Sequence, residues 1–154
     1  MTPLANLLKR ETEAVSRFIL ILNSEQEALK SGTPDLLADI NSKKLLLVDQ
    51  LNQLGAERAQ LADLAGTATD RTKMAAWLQQ HPQEKQSASL WVKLLKLAQE
   101  AKALHELNGQ LISLHLQRTT DAISVLTQQH KEHSLYGSNG QSSATTGSRI
   151  VDSA

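Results

Sequence analysis

With 154 residues, 40% of them hydrophobic, the chain is long enough for one domain with a real core, and with no cysteine it can form neither a disulfide nor a thiolate metal site. Its 16 basic residues balance 16 acidic ones and no basic run follows the spacing of a phosphate backbone, so nucleic acid is not expected as the main ligand. Aromatic residues make up only 3%, which leaves leucine and alanine to build the core and favours helix packed on helix.

The first residues, Met-Thr-Pro-Leu-Ala-Asn, lack the basic-then-apolar profile of a secretory signal, and the apolar run Phe18 to Leu22 is far too short to span a bilayer. A cytoplasmic protein without membrane insertion is therefore expected. Thr2 before Pro3 reads as a helix N-cap followed by proline at the first helical position, where the missing N–H does no harm. Leu4, Leu7, Leu8, Glu11, Val15, Phe18, Ile19, Leu22 and Leu29 then mark a helical stripe over about residues 3–30. Ser31-Gly32 stops it, and Thr33-Pro34-Asp35 repeats the start signal at once. A connection that short predicts an antiparallel neighbour.

The second helix, about 34–65, carries Leu37, Ile40, Lys44, Leu47, Leu51, Leu54, Arg58, Leu61 and Ala65 at alternating steps of three and four, a heptad seam. Gly66-Thr67 is its stop. A short helix over about 70–80 follows, with Met74, Trp77 and Leu78 on one side, and His81-Pro82-Gln83 breaks it. The last helix, about 87–133, has no proline. Leu90, Leu94, Leu97, Ala101, Leu104, Asn108, Leu111, His115, Arg118, Ala122 and Val125 line one face, and Ile112, Leu116, Ile123 and Leu126 form a second line about 100° around from it.

These elements predict an all-α fold: an antiparallel helical bundle or coiled coil of three long helices plus one short helix, spanning 1–133. Residues 134–154, rich in serine, glycine and threonine, read as a flexible tail unable to offset the entropy of ordering. At 1.5 Å per residue the last helix would run roughly 65 to 70 Å against about 42 and 48 Å for the first two, outrunning them by about 20 Å. Its far part carries Leu111, Ile112, Leu116, Ile123, Val125 and Leu126. Three fates suit such residues: a partner's amphipathic helix, burial by a staggered bundle or by the Met74–Leu78 piece folding back, or pairing with a second copy as a homodimer.

No phosphate loop, nucleophile elbow or Ser/His/Asp arrangement is present, and the acidic residues look scattered on solvent faces among lysine and arginine, so neither an enzyme nor a cofactor is expected. His130 and His133 stand three apart near a helix C-terminus, where histidines complement the dipole; no metal site is read from them. The run Ala103-Leu104-His105-Glu106-Leu107-Asn108-Gly109 resembles the core of histidine phosphotransfer domains, but Asn108 stands where those place a lysine. A polar helix surface with Asn108 and Gly109 allowing close packing is the plainer reading. Leu135-Tyr136-Gly137 holds the only tyrosine, suited either to a partner's pocket or to a contact folded back on the helix end.

Three further features point to a family. They are the Glu106-Leu107-Asn108-Gly109-Gln110-Leu111-Ile112 run inside a long last helix, the Leu135-Tyr136-Gly137-Ser138-Asn139-Gly140-Gln141 run after it, and Ala76-Trp77-Leu78 ahead of His81-Pro82 and Leu90-Trp91. Together with the Ser/Thr/Gly-rich end through Arg149, their order and spacing resemble the FlgN family of flagellar export chaperones. The resemblance implies a cytosolic chaperone of the flagellar type III secretion system that binds the C-terminal helices of the hook-filament junction proteins FlgK and FlgL, prevents their premature assembly and delivers them to the export gate protein FlhA. It would place substrate-protein binding on Leu111, Ile112, Leu116, Ile123, Val125 and Leu126; gate docking is then assigned to Leu135 and Tyr136, on their expected exposure and position more than on a motif. A dimeric coiled-coil scaffold and, behind it, a histidine phosphotransfer module are the alternatives.

Overall fold

The computed structural model describes residues 1–62 and 71–136, the side chains of 129–136 excepted. Four helices and no strands occur among the described residues: α1 (Pro3–Ser31), α2 (Pro34–Leu61), α3 (Arg71–Gln80) and α4 (Lys85–Tyr136). The chain divides into two compact units, Met1–Leu111 and Ile112–Ala154. The part expected to form a flexible tail lies, from residue 137 on, outside the described residues, as does the expected stop at Gly66-Thr67.

The local signals act where the sequence places them, with one exception. Thr2 accepts the Ala5 N–H on its hydroxyl at 3.2 Å, capping α1 ahead of Pro3. At the other end Gly32 takes φ +66°, a left-handed cap conformation free of penalty only for glycine, and returns its N–H to the Ala28 carbonyl. Thr33, however, does not cap α2 with its side chain: its hydroxyl is 3.1 Å from that of Ser31, and only its carbonyl serves the new helix, accepting from the Leu36 N–H at 3.3 Å. In so tight a turn the hydroxyl finds the outgoing helix first. The start of α4 falls two residues before the expected Ser87: the Glu84 carbonyl already accepts the Ala88 N–H at 2.9 Å, and the Glu84 carboxylate accepts from the hydroxyls of Ser87 and, at 2.9 Å, of Thr2.

Within Met1–Leu111, α1 is the shared element. As α1 is followed from Arg10 and Glu11 to Glu25, its ion-pair partners on α2 fall from Glu57 and Arg58 to Lys44, so these helices run antiparallel. From Thr2, its cap, to Glu25, the partners rise from Glu84, just ahead of α4, to Asn108 on α4, so these run parallel. One core cluster joins Leu4, Leu8, Val15 and Leu22 of α1 to Met74 of α3 and Trp91, Leu94 and Ala101 of α4, with Phe18, Leu51, Trp77 and Leu104 packed around it. A second, Leu7, Ala14 and Leu54, fills the α1–α2 contact. Thus α1 is apolar on two sides because it has a neighbour on each. Trp91 is an exception to the expectation of a core without large rings, being 6% exposed.

Two readings of the polar residues are corrected here. The acidic side chains are not all on solvent faces: Glu11 and Glu25 are 4% and 2% exposed. Each is met by a basic residue that occupies a seam position of α2, Glu11 by Arg58 and Glu25 by Lys44 at 2.9 Å. Arg58 also lies 5.0 Å from the centroid of the Trp91 ring, so one guanidinium joins carboxylate and aromatic face. Burial raises the Glu11 pKa above its ordinary value of 4.5, and the attraction of Arg58 offsets this only in part. Nor does Asn108 lie on a polar surface; it is 1% exposed. A short polar side chain inside a helix bundle can persist because its amide finds acceptors there, the Leu22 carbonyl and Glu25.

Candidate functional site

The candidate face lies on α4, the 52-residue helix. Burial along it changes character at Asn108. Leu111 and His115 are half-buried, and every residue from Leu116 to Gln128 is exposed. The apolar side chains there are open: Ile112 is 42% exposed, Leu116 64%, Ile123 58%, Val125 55% and Leu126 65%. Among the described residues these side chains are exposed. The Met74–Leu78 piece packs within Met1–Leu111. Met74, 1% exposed, belongs to the cluster of Leu4 and Trp91, while Trp77 stacks on His81 at 3.9 Å between ring centroids.

At about 100° of rotation per residue, Ile112, Leu116, Ile123 and Leu126 fall within a wedge of roughly 80°. Val125 points about 150° away from that wedge, on the same side as Leu114, and Leu111 lies between the two. The six candidates therefore do not make one strip. Four of them suit a single partner helix, whereas Val125 serves another contact or none. Leu114, 46% exposed, is a further apolar residue that the spacing argument passed over. Its signal was the Leu111-Ile112-Ser113-Leu114 run, whose three aliphatic residues within four positions cannot share one face of a helix.

Between the apolar residues the polar atoms are quiet. Thr119 fills the gap between Leu116 and Ile123 in the same wedge, and its hydroxyl donates back to the His115 carbonyl at 3.0 Å. Thr120 and Thr127, at the wedge's edge, do likewise to Leu116 and Ile123 at 3.0 and 2.8 Å. With their hydrogens used inside the helix, these threonines cost little to cover. The one carboxylate from Ile112 to Gln128, Asp121, lies on the far side, where it accepts from Gln117 at 2.9 Å. The wedge is thus a neutral, apolar strip about 21 Å long, the form that receives an amphipathic helix.

The remaining sequence candidates fall elsewhere. Leu135 and Tyr136 occupy the last turn of α4, their side chains outside the described part. The same is true of the His130 and His133 side chains. Among the described residues no group of three or more His, Cys, Asp or Glu side chains could hold a metal ion, and no helix is long and apolar enough to cross a membrane. His105 is exposed, but the neighbour that would need to assist it, Asn108, is buried and turned toward α1.

Comparison with known proteins gives a consistent result. Residues 1–144 match the family described as FlgN protein. Among similar proteins, the flagella synthesis protein FlgN of Proteus mirabilis is 28% identical over 145 residues, covering 92% of this chain and 90% of that one. The protein of that name from Salmonella typhimurium is 26% identical over 147 residues, and that of Escherichia coli K12 25% over 150, each covering 94% of both chains. No solved structure is significantly similar. With the family matched over nearly its whole length, the chain belongs to the FlgN family of flagella synthesis proteins.

Proposed function

We propose that this protein is a cytosolic flagellar export chaperone whose α4 strip of Ile112, Leu116, Ile123 and Leu126 captures the C-terminal helices of the hook-filament junction proteins FlgK and FlgL. The observation that carries the reading is the run of open aliphatic side chains on a helix whose earlier part is a core element. Terminal helices that assemble later by apolar contact must be covered beforehand, and a second amphipathic helix covers them without chemistry. Four aliphatic side chains contribute on the order of 6 to 10 kcal/mol before the costs of association, enough for a grip that still reverses. Leu135 and Tyr136 then dock the loaded chaperone at the export gate protein FlhA. A separate second contact raises the local concentration of cargo without tightening the first.

The test is capture of purified FlgK and FlgL by the Leu116→Ser/Ile123→Ser/Leu126→Ser variant. Capture should be lost while the circular dichroism of the helices is kept. If the variant still binds both proteins, the strip is not the docking face; if it loses only self-association, the dimeric scaffold replaces this reading. Tyr136→Ala should leave capture intact and weaken FlhA binding.

A further inference from the structure

Three helices meet at one buried carboxylate. Glu25 of α1 accepts from Asn108 Nδ2 of α4 on one oxygen and from Lys44 Nζ of α2 on the other, each at 2.9 Å. The same Asn108 nitrogen donates to the Leu22 carbonyl at 2.9 Å. Both groups around that nitrogen can only accept, so the amide has a single satisfactory orientation. Its oxygen is buried without a partner. An asparagine retained in a core at that cost calls for a reason other than stability.

The reason lies in the column it occupies. Ser87, Leu94, Ala101 and Asn108 recur every seven residues on α4, and all four are buried. If α4 slid along α1 by one heptad, about 10 Å, so that Ala101 came level with Glu25, Leu90 and Leu97 would move into the layers of Leu97 and Leu104, leucine for leucine, and Leu94 would enter the layer of Ala101. The layer at Glu25 would lose its amide donor, because Ala101 has none to offer there. We propose that Asn108 sets the axial register of α4 against α1, and so fixes the residue at which the paired part of α4 ends. Given the docking reading above, on which this consequence rests, one asparagine determines how many turns of α4 are left for cargo. It is a positioning residue, as a lone polar residue in a coiled-coil seam is.

The absence of cysteine makes the test direct. Spin labels at Lys9→Cys and Gln110→Cys, both exposed and at opposite ends of the paired stretch, report the axial offset as a distance. In the otherwise native chain one narrow distance is expected. In Asn108→Leu the chain should remain at least as resistant to denaturant, but the distance should split or broaden by about 10 Å. Moving the amide, in Ala101→Asn/Asn108→Leu, should restore one narrow distance, longer by about 10 Å. A single unchanged distance in folded Asn108→Leu overturns the proposal, as does loss of stability with register unaltered, the signature of a merely structural contact. Should Asn108→Leu fail to fold, Glu25→Leu/Asn108→Leu leaves no carboxylate at this layer and is read the same way. None of these measurements involves FlgK or FlgL, so failure of the docking face would leave them standing, and their failure would leave capture by the strip intact.

Discussion

Residues 87–108 and 112–128 of α4 make an instructive pair, because they belong to one uninterrupted helix and carry similar aliphatic lines, yet one is core and the other is bare. On a straight helix Ile112 lies about five turns beyond Leu94 on the same line. Leu94 is 6% exposed and Ile112 42%. Nothing in the side chains differs in kind. What differs is burial: the apolar line of the first stretch packs on α1 and stabilises the fold, whereas that of the second is open.

Removing side chains that pack on the covered stretch should have the largest effect on the fold. Arg58→Ala strips Glu11 of its partner inside the bundle and uncovers Trp91, and should lower unfolding free energy by roughly 3 to 5 kcal/mol in denaturant titrations. Leu22→Ala, at a fully buried site, should cost about 3 kcal/mol by the same measurement. Against these, Leu116→Ser, Ile123→Ser and Leu126→Ser should each change stability by no more than about 0.5 kcal/mol while abolishing capture of junction proteins, a reversal that would separate the two stretches sharply. Within the bare stretch, Val125→Ser should weaken capture far less than Ile123→Ser in a binding titration, since the two side chains point about 160° apart. Equal losses would mean that cargo wraps both sides of the helix.

The smallest effect concerns pH. Burial raises the Glu11 pKa, so its protonated form is favoured in the folded state relative to the unfolded one. Its contribution to stability is full below the ordinary value of 4.5 and is lost as pH rises through the folded value. The stability of the native chain relative to Glu11→Gln should therefore decline as pH climbs from 4.5 toward neutrality, measured by denaturant unfolding at stepped pH. A relative stability that rises over that window would show that Arg58 outweighs burial at this site.

Much of this architecture could be read beforehand because its signals are local. Thr2-Pro3 and Gly32 mark the ends of α1 through hydrogen bonds and a dihedral angle that involve only a few neighbouring residues. Period and stop signals likewise located α3 between the long helices. The polar interior was harder. Lys44, Arg58, Glu11 and Asn108 all stood in the apolar stripes, and their positions said that they face inward; what they meet there did not follow. Charge composition alone suggested solvent, because the partner that makes burial tolerable lies on a different helix.

By itself, then, the sequence determined the number of helices, the direction in which α1 turns into α2, and which faces are apolar, since 3.6-residue periodicity and caps depend on nearest neighbours along the chain. Tertiary structure alone decided which apolar residues become core. Leu94 and Leu116 are the same side chain on the same helix, and what tells them apart is that Leu94 packs on α1 whereas Leu116 is open.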